Sequence, residues 1–475
     1  AVTSADGVTQ TVNSGNNILI DDNGDDIIIA LAGTHINNDG DDEGVVVFVD
    51  NAEDRVTINI LETGVLQGFD GVLFLEGDAA TVVNDGLFEG TDEASEAVVY
   101  FDRDADGLLN TVINNGTITS VGGATVGVDS LLGTDPGGSS SVGDEEGIAR
   151  FRLVNTGTIS NTGSDSDADA LHFNGDPGST GGEDRGCREG DQINCIIEVD
   201  VTNSGTISAA RNDASNAAIR SESDAVLRGT IVNQAGGMIT GASNAIRING
   251  AHADHSVTIT NAGTIEGEAE AGILIGGSGV TVVNEAGGMI IGDDEGILLD
   301  GDMISVRLLG GTNISEDTTP TDTVITNSGT ISGTADGILV NTDALGAIIT
   351  NTATGTISGK DGIQSATGGS VVNNGTITGA DGDGVRLSGI QDATVTLGAT
   401  STTGGTSQAV QFEGTGTNTL NVVAGATVNG DLQGSEGAGA TNILNLSGAA
   451  DAFTVLDALN IAQVNVMGGV FDLSA

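Results

Sequence analysis

The sequence is poor in almost everything from which an ordinary globular core is made. Tryptophan is absent, aromatic residues occupy 2% of the 475 positions, and there are three prolines. A single large core of bulky side chains is thereby excluded; the abundant residue is glycine, at 76 positions. Basic residues are scarce as well, with 13 Lys and Arg against 67 Asp and Glu and a formal net charge of -54. Such a surface repels nucleic acid and anionic lipid at long range and favours cations as partners. No apolar run approaches the roughly 18 residues that a membrane-crossing helix requires, so no direct membrane insertion is expected of this chain.

Cysteine occurs twice, at Cys187 and Cys195 in CREGDQINC. A closed zinc site wants four ligands and no His lies nearby in sequence, so the pair reads as a local disulfide and points to an oxidising compartment. The opening AVTSADG has neither an initiator Met nor a basic and apolar leader. It reads as a mature product of export.

What the chain has in quantity is a repeat, clearest in ITNSGTISGTADGIL at Ile325 to Leu339. An Asn closes a short apolar strand, Gly follows two residues later, TIS or TIT forms a second strand, and Gly-Ile opens a third. The marker recurs at Asn84, Asn114, Asn155, Asn203, Asn233, Asn261, Asn284, Asn327, Asn351 and Asn373. Between the closest markers the period is about 22–24 residues, the length of one three-strand coil. A unit that small cannot bury its own apolar face and needs neighbours above and below. The expected fold is all-β, a right-handed parallel β-helix with loop insertions.

Asn at the corner is expected to adopt the left-handed backbone region and to hydrogen-bond its counterparts in adjacent coils, and Gly to supply a second unusual torsion. The structural ladder is assigned to Asn203, Asn261, Asn284, Asn327, Asn351 and Asn373. Ile118, Ile159, Ile207, Ile265, Ile331, Ile357 and Ile377 are expected inside, with the flanking Thr and Ser outside. AGGM at Ala235 to Met238 and Ala286 to Met289 should widen the turn. Three segments are read: acidic β-coils over 1–55, the main β-helix over 56–394 with insertions near 120–147, 161–198 and 301–322, and C-terminal coils over 395–475.

Those last coils read TNTLNVVAGATVNGDLQG and TNILNLSGAADAF and close on Gly468, Gly469, Phe471 and Leu473. In this the chain resembles the β-helical passenger domain of bacterial autotransporters, the type V secretion proteins, without their outer-membrane barrel. The resemblance implies display outside the cell or on the outer surface of a Gram-negative bacterium.

Chemistry must come from outside the repeat. DRDADG places Asp102, Asp104 and Asp106 in alternation before a glycine, as in the first half of a calcium loop, although Ile113 stands where a bidentate Glu is wanted. Asp21, Asp25, Asp39 and Asp41, and the run Asp165, Asp167, Asp169, are looser versions, and a solvated acidic surface is the bland alternative. Structural Ca2+ is the expected cofactor. Glu146, Glu295, Asp336, Asp361 and Asp383 precede the third strand and should form a column of like charges, with the side chains splayed into solvent more readily than bridged by cations.

Catalysis is not expected. The four His residues are scattered, AHADH reads as a loop, and no acid, base and substrate clamp converge by spacing. The preferred function is a non-enzymatic structural or adhesive protein. Head-to-tail or lateral homo-oligomers and cell-surface glycans are its candidate partners. A carbohydrate-active β-helix enzyme and an ice- or mineral-binding surface, suggested by the Thr and Ser ranks, are the alternatives.

Overall fold

The computed structural model describes residues 9–12, 18–20, 27–36, 45–52, 56–68, 71–77, 80–91, 97–101, 109–129, 148–163, 168–174, 196–210, 216–222, 225–249, 255–277, 279–300, 305–307, 313–315, 323–342, 344, 347–449 and 453–474. Among them every regular element is a strand. The fold is an all-β parallel β-helix, and it divides into two compact units, 1–250 and 251–475.

In the first unit each strand pairs in parallel with its equivalent one coil on, giving three walls. The first wall runs from Thr9–Val12 to Val226–Asn233, the second from Thr34–Ile36 to Met238–Gly241, and the third from Ile18–Ile20 to Ile246–Ile248. Alternation of apolar and polar residues decides which face is buried: Val56–Ile60 and Ala80–Asn84 each alternate buried and half-buried positions. Every inward Ile expected from TIS and TIT is fully buried. Phe101, Phe151 and Phe173 fill successive layers in edge contact, with centroids 5.6 and 5.9 Å apart.

The second unit begins with the same three-wall coil at Ser256–Asn261, Thr264–Gly267 and Ile273–Ile275. It does not keep it. From Thr402–Phe412 onward one long strand replaces the second and third, pairing at its start with Thr376–Gly379 and at its end with Val385–Leu387. The coils that the sequence marks as different after 395 are therefore two-sided. Within 301–322 a short antiparallel hairpin, Ser305–Arg307 with Asn313–Ser315, is inserted.

The asparagine ladder is present, fully buried and continuous within each unit. Asn84, Asn114, Asn155, Asn203 and Asn233 each pass a side-chain hydrogen bond to the next, at 2.8 to 2.9 Å. Asn261, Asn284, Asn327, Asn351 and Asn373 repeat the chain, which ends on the Thr403 hydroxyl at 2.8 Å because Leu397 takes the next Asn place. The same amide nitrogen also donates to the carbonyl of the second strand one coil on, as from Asn327 to Thr356 at 3.0 Å. A second ladder, Asn421, Asn445 and Asn465, occupies the half-exposed face of the C-terminal coils.

Two expectations about this corner are corrected. Among the described residues Asn460 alone has a positive φ outside glycine, so the ladder asparagines are not left-handed. The glycine two residues on is not there for its torsion either. A Cβ on Gly116, Gly157 or Gly205 would lie 2.1 Å from the carbonyl oxygen of the equivalent glycine one coil earlier. Glycine is needed because coils approach too closely for any side chain. In the wider AGGM turns the two duties separate: Gly236, at φ +87°, has nothing within 4 Å of its would-be Cβ, whereas that of Gly237 would meet Asn233 Oδ1 at 2.4 Å.

Candidate functional site

The longest connections between walls, 130–147 and 175–195 in the first unit and 300–323, with its inserted hairpin, in the second, all join a third-wall strand to the next first-wall strand. The ladder corner holds no such insertion; its change of length is the short widening of the AGGM turns, across which the ladder bond from Asn203 to Asn233 persists at 2.9 Å. The longest insertions thus leave from one edge of the third wall, while the links that enter it also vary, from 121–123 to 162–170 and 210–218, and the side chains on that wall are the ones to inspect.

Of the residues expected to bind calcium, Asp21, Asp25, Asp39, Asp41, Asp102, Asp104, Asp106, Asp165 and Asp167 lie outside the described residues, as do Cys187 and Cys195. Asp169 lies within them and is fully buried. Its Oδ1 accepts the backbone N–H of Ala217 at 2.8 Å, one coil on. Its Oδ2 stands 3.5 Å from both His172 Nδ1 and Arg220 Nη1. Glu222 closes the square, 3.3 Å from His172 Nε2 and 2.6 Å from Arg220 Nη2. Among the described residues no group of three or more His, Cys, Asp or Glu side chains is arranged to hold a metal ion.

Electrostatics in this square follow from burial and alternation of sign. Burial pushes Asp169 up to about 6, against the pull of His172, Arg220 and the Ala217 N–H. Burial opposes the charged imidazole of His172, but its contact with Glu222 and the Asp169 charge outweigh that and raise its pKa. Glu222 is lowered, chiefly by His172. Spacing alone missed this cluster, because His172 and Arg220 meet only through the pairing of Leu171–Asn174 with Ile219–Ser221. Of the other histidines, His35 and His255 are buried, and His252 lies outside the described residues.

In the second unit the acid column exists, with Glu295 paired to Asp336 and Asp336 to Asp361. Its side chains do not splay. Asp336, Asp361 and Asp383 are 8, 7 and 4% exposed. They turn back to cap the next coil: Asp361 Oδ1 accepts the N–H of Asp383, and Asp383 Oδ1 that of Gln408 at 2.9 Å. Backbone satisfaction, not solvent, compensates the carboxylates. Asp169 capping Ala217 is the same device in the first unit, and Ala271, fully buried, interrupts the series as its sequence suggests.

Burial, with its acidic neighbours, pushes Glu295 up to about 7 and Asp336 up to about 6, and raises Asp383. An acid whose pKa is raised on folding gives stability that is complete below its unfolded value and is lost as pH rises through the folded one. The second unit should therefore weaken between about pH 4 and pH 7. Asp336→Asn keeps the acceptor and removes the charge. It is expected to flatten that slope and to stabilise the unit at pH 8 by on the order of 2 kcal/mol, measured by denaturant unfolding at pH 4.5 and pH 8. A loss of stability at pH 8 would contradict this account.

On the second wall the outward Thr330, Thr356, Thr376, Thr402 and Thr427 stand in one register. The rank is longer than the sequence motif shows, because Thr402 and Thr427 lie outside any TIS. Comparison with protein-family models, with curated proteins and with solved structures finds no match to this chain.

Proposed function

We propose that the chain is a non-enzymatic adhesive or structural protein acting outside the cell, a β-helical passenger of the autotransporter kind from a Gram-negative surface. The observation that carries this reading is the division of labour in the coil. The ladder corner and the strand faces are given to stacking, while the three longest insertions all leave at one edge of the third wall. A rigid stack whose variable segments gather around one wall suits presentation of a surface. Calcium bound by Asp102, Asp104 and Asp106 would screen the net charge.

Self-association belongs to the same proposal. The strand Gln463–Val466 pairs on one side with Thr441–Ser447 and exposes Val464, Val466 and the adjacent Met467, the last at 72%. In this proposal copies of the chain associate head to tail or laterally. Electron microscopy of the purified chain, with and without calcium, should show assemblies longer than one chain, and incubation with acidic polysaccharides should release no shorter products. Isolated particles under both conditions would remove self-association, and turnover would overturn the non-enzymatic reading.

A further inference from the structure

The third wall of the first unit carries an outward row that coil architecture does not require. In register it follows Leu19 and Phe48 and then reads Phe74, Tyr100, Gly127, His172, Arg220 and Arg247. The equivalent row of the second unit begins Leu274, Leu298, Leu339 and Gln364. The chain has one Tyr, ten Phe, 13 Lys and Arg and four His in all, so Phe74 and Tyr100 with one His and two Arg in one row are a marked concentration.

At one end the rings are held in place. Phe74 and Tyr100 lie with centroids 5.0 Å apart and planes tilted by 37°. The Tyr100 hydroxyl donates to Asp129 Oδ2, and the ring leans over Gly127, where a Cβ would stand 3.0 Å from Tyr100 Cδ2. Glycine at 127 makes room for the ring. Both rings remain half-exposed, and a fixed aromatic face of partial negative charge suits the C–H face of a pyranose.

At the other end the charges are sorted. Asp169 and Glu222 are balanced by His172 and Arg220 in the square described above, which neutralises the wall locally on a strongly acidic chain. Arg247 differs from its neighbours. Its Nε donates to the neutral amide of Asn249 at 2.9 Å, and it makes no ion pair with a described residue, although Glu222 feels its charge. The amide orients a guanidinium fork without consuming its charge, as bidentate recognition of a carboxylate or sulfate requires. Tyr100 and Arg247 are four coil steps apart, roughly 19 Å at about 4.8 Å per step. That separation matches a short oligosaccharide along the stack and not a single sugar.

We propose that this row binds an anionic glycan chain lying along the coil axis, with a sugar ring against Tyr100 and an acidic group on Arg247. The proposal rests on the adhesive reading and names its ligand class.

With no tryptophan and a single tyrosine, the intrinsic emission of the protein reports Tyr100 itself. The full chain is titrated with an oligogalacturonate hexamer, with a chondroitin sulfate hexasaccharide and with the methyl-esterified, neutral oligogalacturonate, followed by tyrosine fluorescence and by calorimetry. An acidic probe should bind and change the Tyr100 emission. Arg247→Gln and Tyr100→Ala should each weaken binding by about tenfold or more, and Arg386→Gln, in the other unit, should not. Melting curves confirm that each variant is folded, and Tyr100→Phe, which retains the ring, should keep most of the affinity.

Failure of both acidic probes to bind overturns the proposal, as does equal binding of the neutral ester or of Arg247→Gln. Acidic binding that survives every substitution in the row overturns the row while leaving the adhesive reading intact. Cleavage of a probe that still depends on Arg247 supports the row and overturns the non-enzymatic reading.

Discussion

Gly205→Ala is expected to destabilise the first unit by on the order of 3 kcal/mol or more. The added methyl would meet Gly157 O at 2.1 Å and the Thr156 carbonyl carbon at 2.7 Å. Both are backbone atoms of the coil beneath, fixed by their own ladder hydrogen bonds, so neither can rotate aside. Gly236→Ala is the informative comparison. Gly236 sits at φ +87° with open space around it, and the substitution should cost only the left-handed penalty of about 1 kcal/mol. Denaturant unfolding of the two variants separates close approach from torsion as the reason for glycine. Equal losses would mean that the contact account is wrong.

Asn327→Ala is the second substitution with a large expected effect. Asn327 accepts the Asn284 amide at 2.8 Å and the Gly329 N–H at 3.2 Å, and it donates to Asn351 at 2.9 Å and to the Thr356 carbonyl at 3.0 Å. Truncation leaves donors and acceptors on both sides buried without partners, at about 1–3 kcal/mol each, partly relieved by relaxation. A loss of about 3–5 kcal/mol is expected. In a stacked repeat the damage should be local. Hydrogen exchange should accelerate most at the amides of Thr330 and Thr356, whose strands adjoin the gap, and little at the C-terminal coils. Ser328→Ala removes a half-exposed hydroxyl that accepts from Thr352 and should cost under about 1 kcal/mol. A ladder variant no less stable than Ser328→Ala would show that the amide chain contributes little.

These two residues also mark how far the sequence can be read. That Asn327 and Gly329 hold the corner follows from their recurrence with Ile331, and the structure bears it out. Their mechanism did not follow, because a torsion and a close approach both demand glycine and look alike in sequence. Asp336 shows a second limit. An acid before a Gly-Ile step reads as a solvent-facing turn residue, yet it is buried and caps the next coil. Its partner N–H belongs to a different coil, and no local pattern announces that.

The sequence by itself determined the coil: the β class, the inward isoleucines and the ladder. It could do so because those features repeat at short range and each copy obeys the same local rules of alternation and turn. Only the tertiary structure decided what the third wall presents. Tyr100, Gly127, His172, Arg220 and Arg247 are separated by stretches of unequal length, since the insertions differ from coil to coil, and no fixed spacing connects them. Parallel pairing removes that irregularity by stacking the strands in register whatever lies between. It thereby assembles a row of rings and charges, and a neutral square around Asp169, that exist only once the coils are stacked.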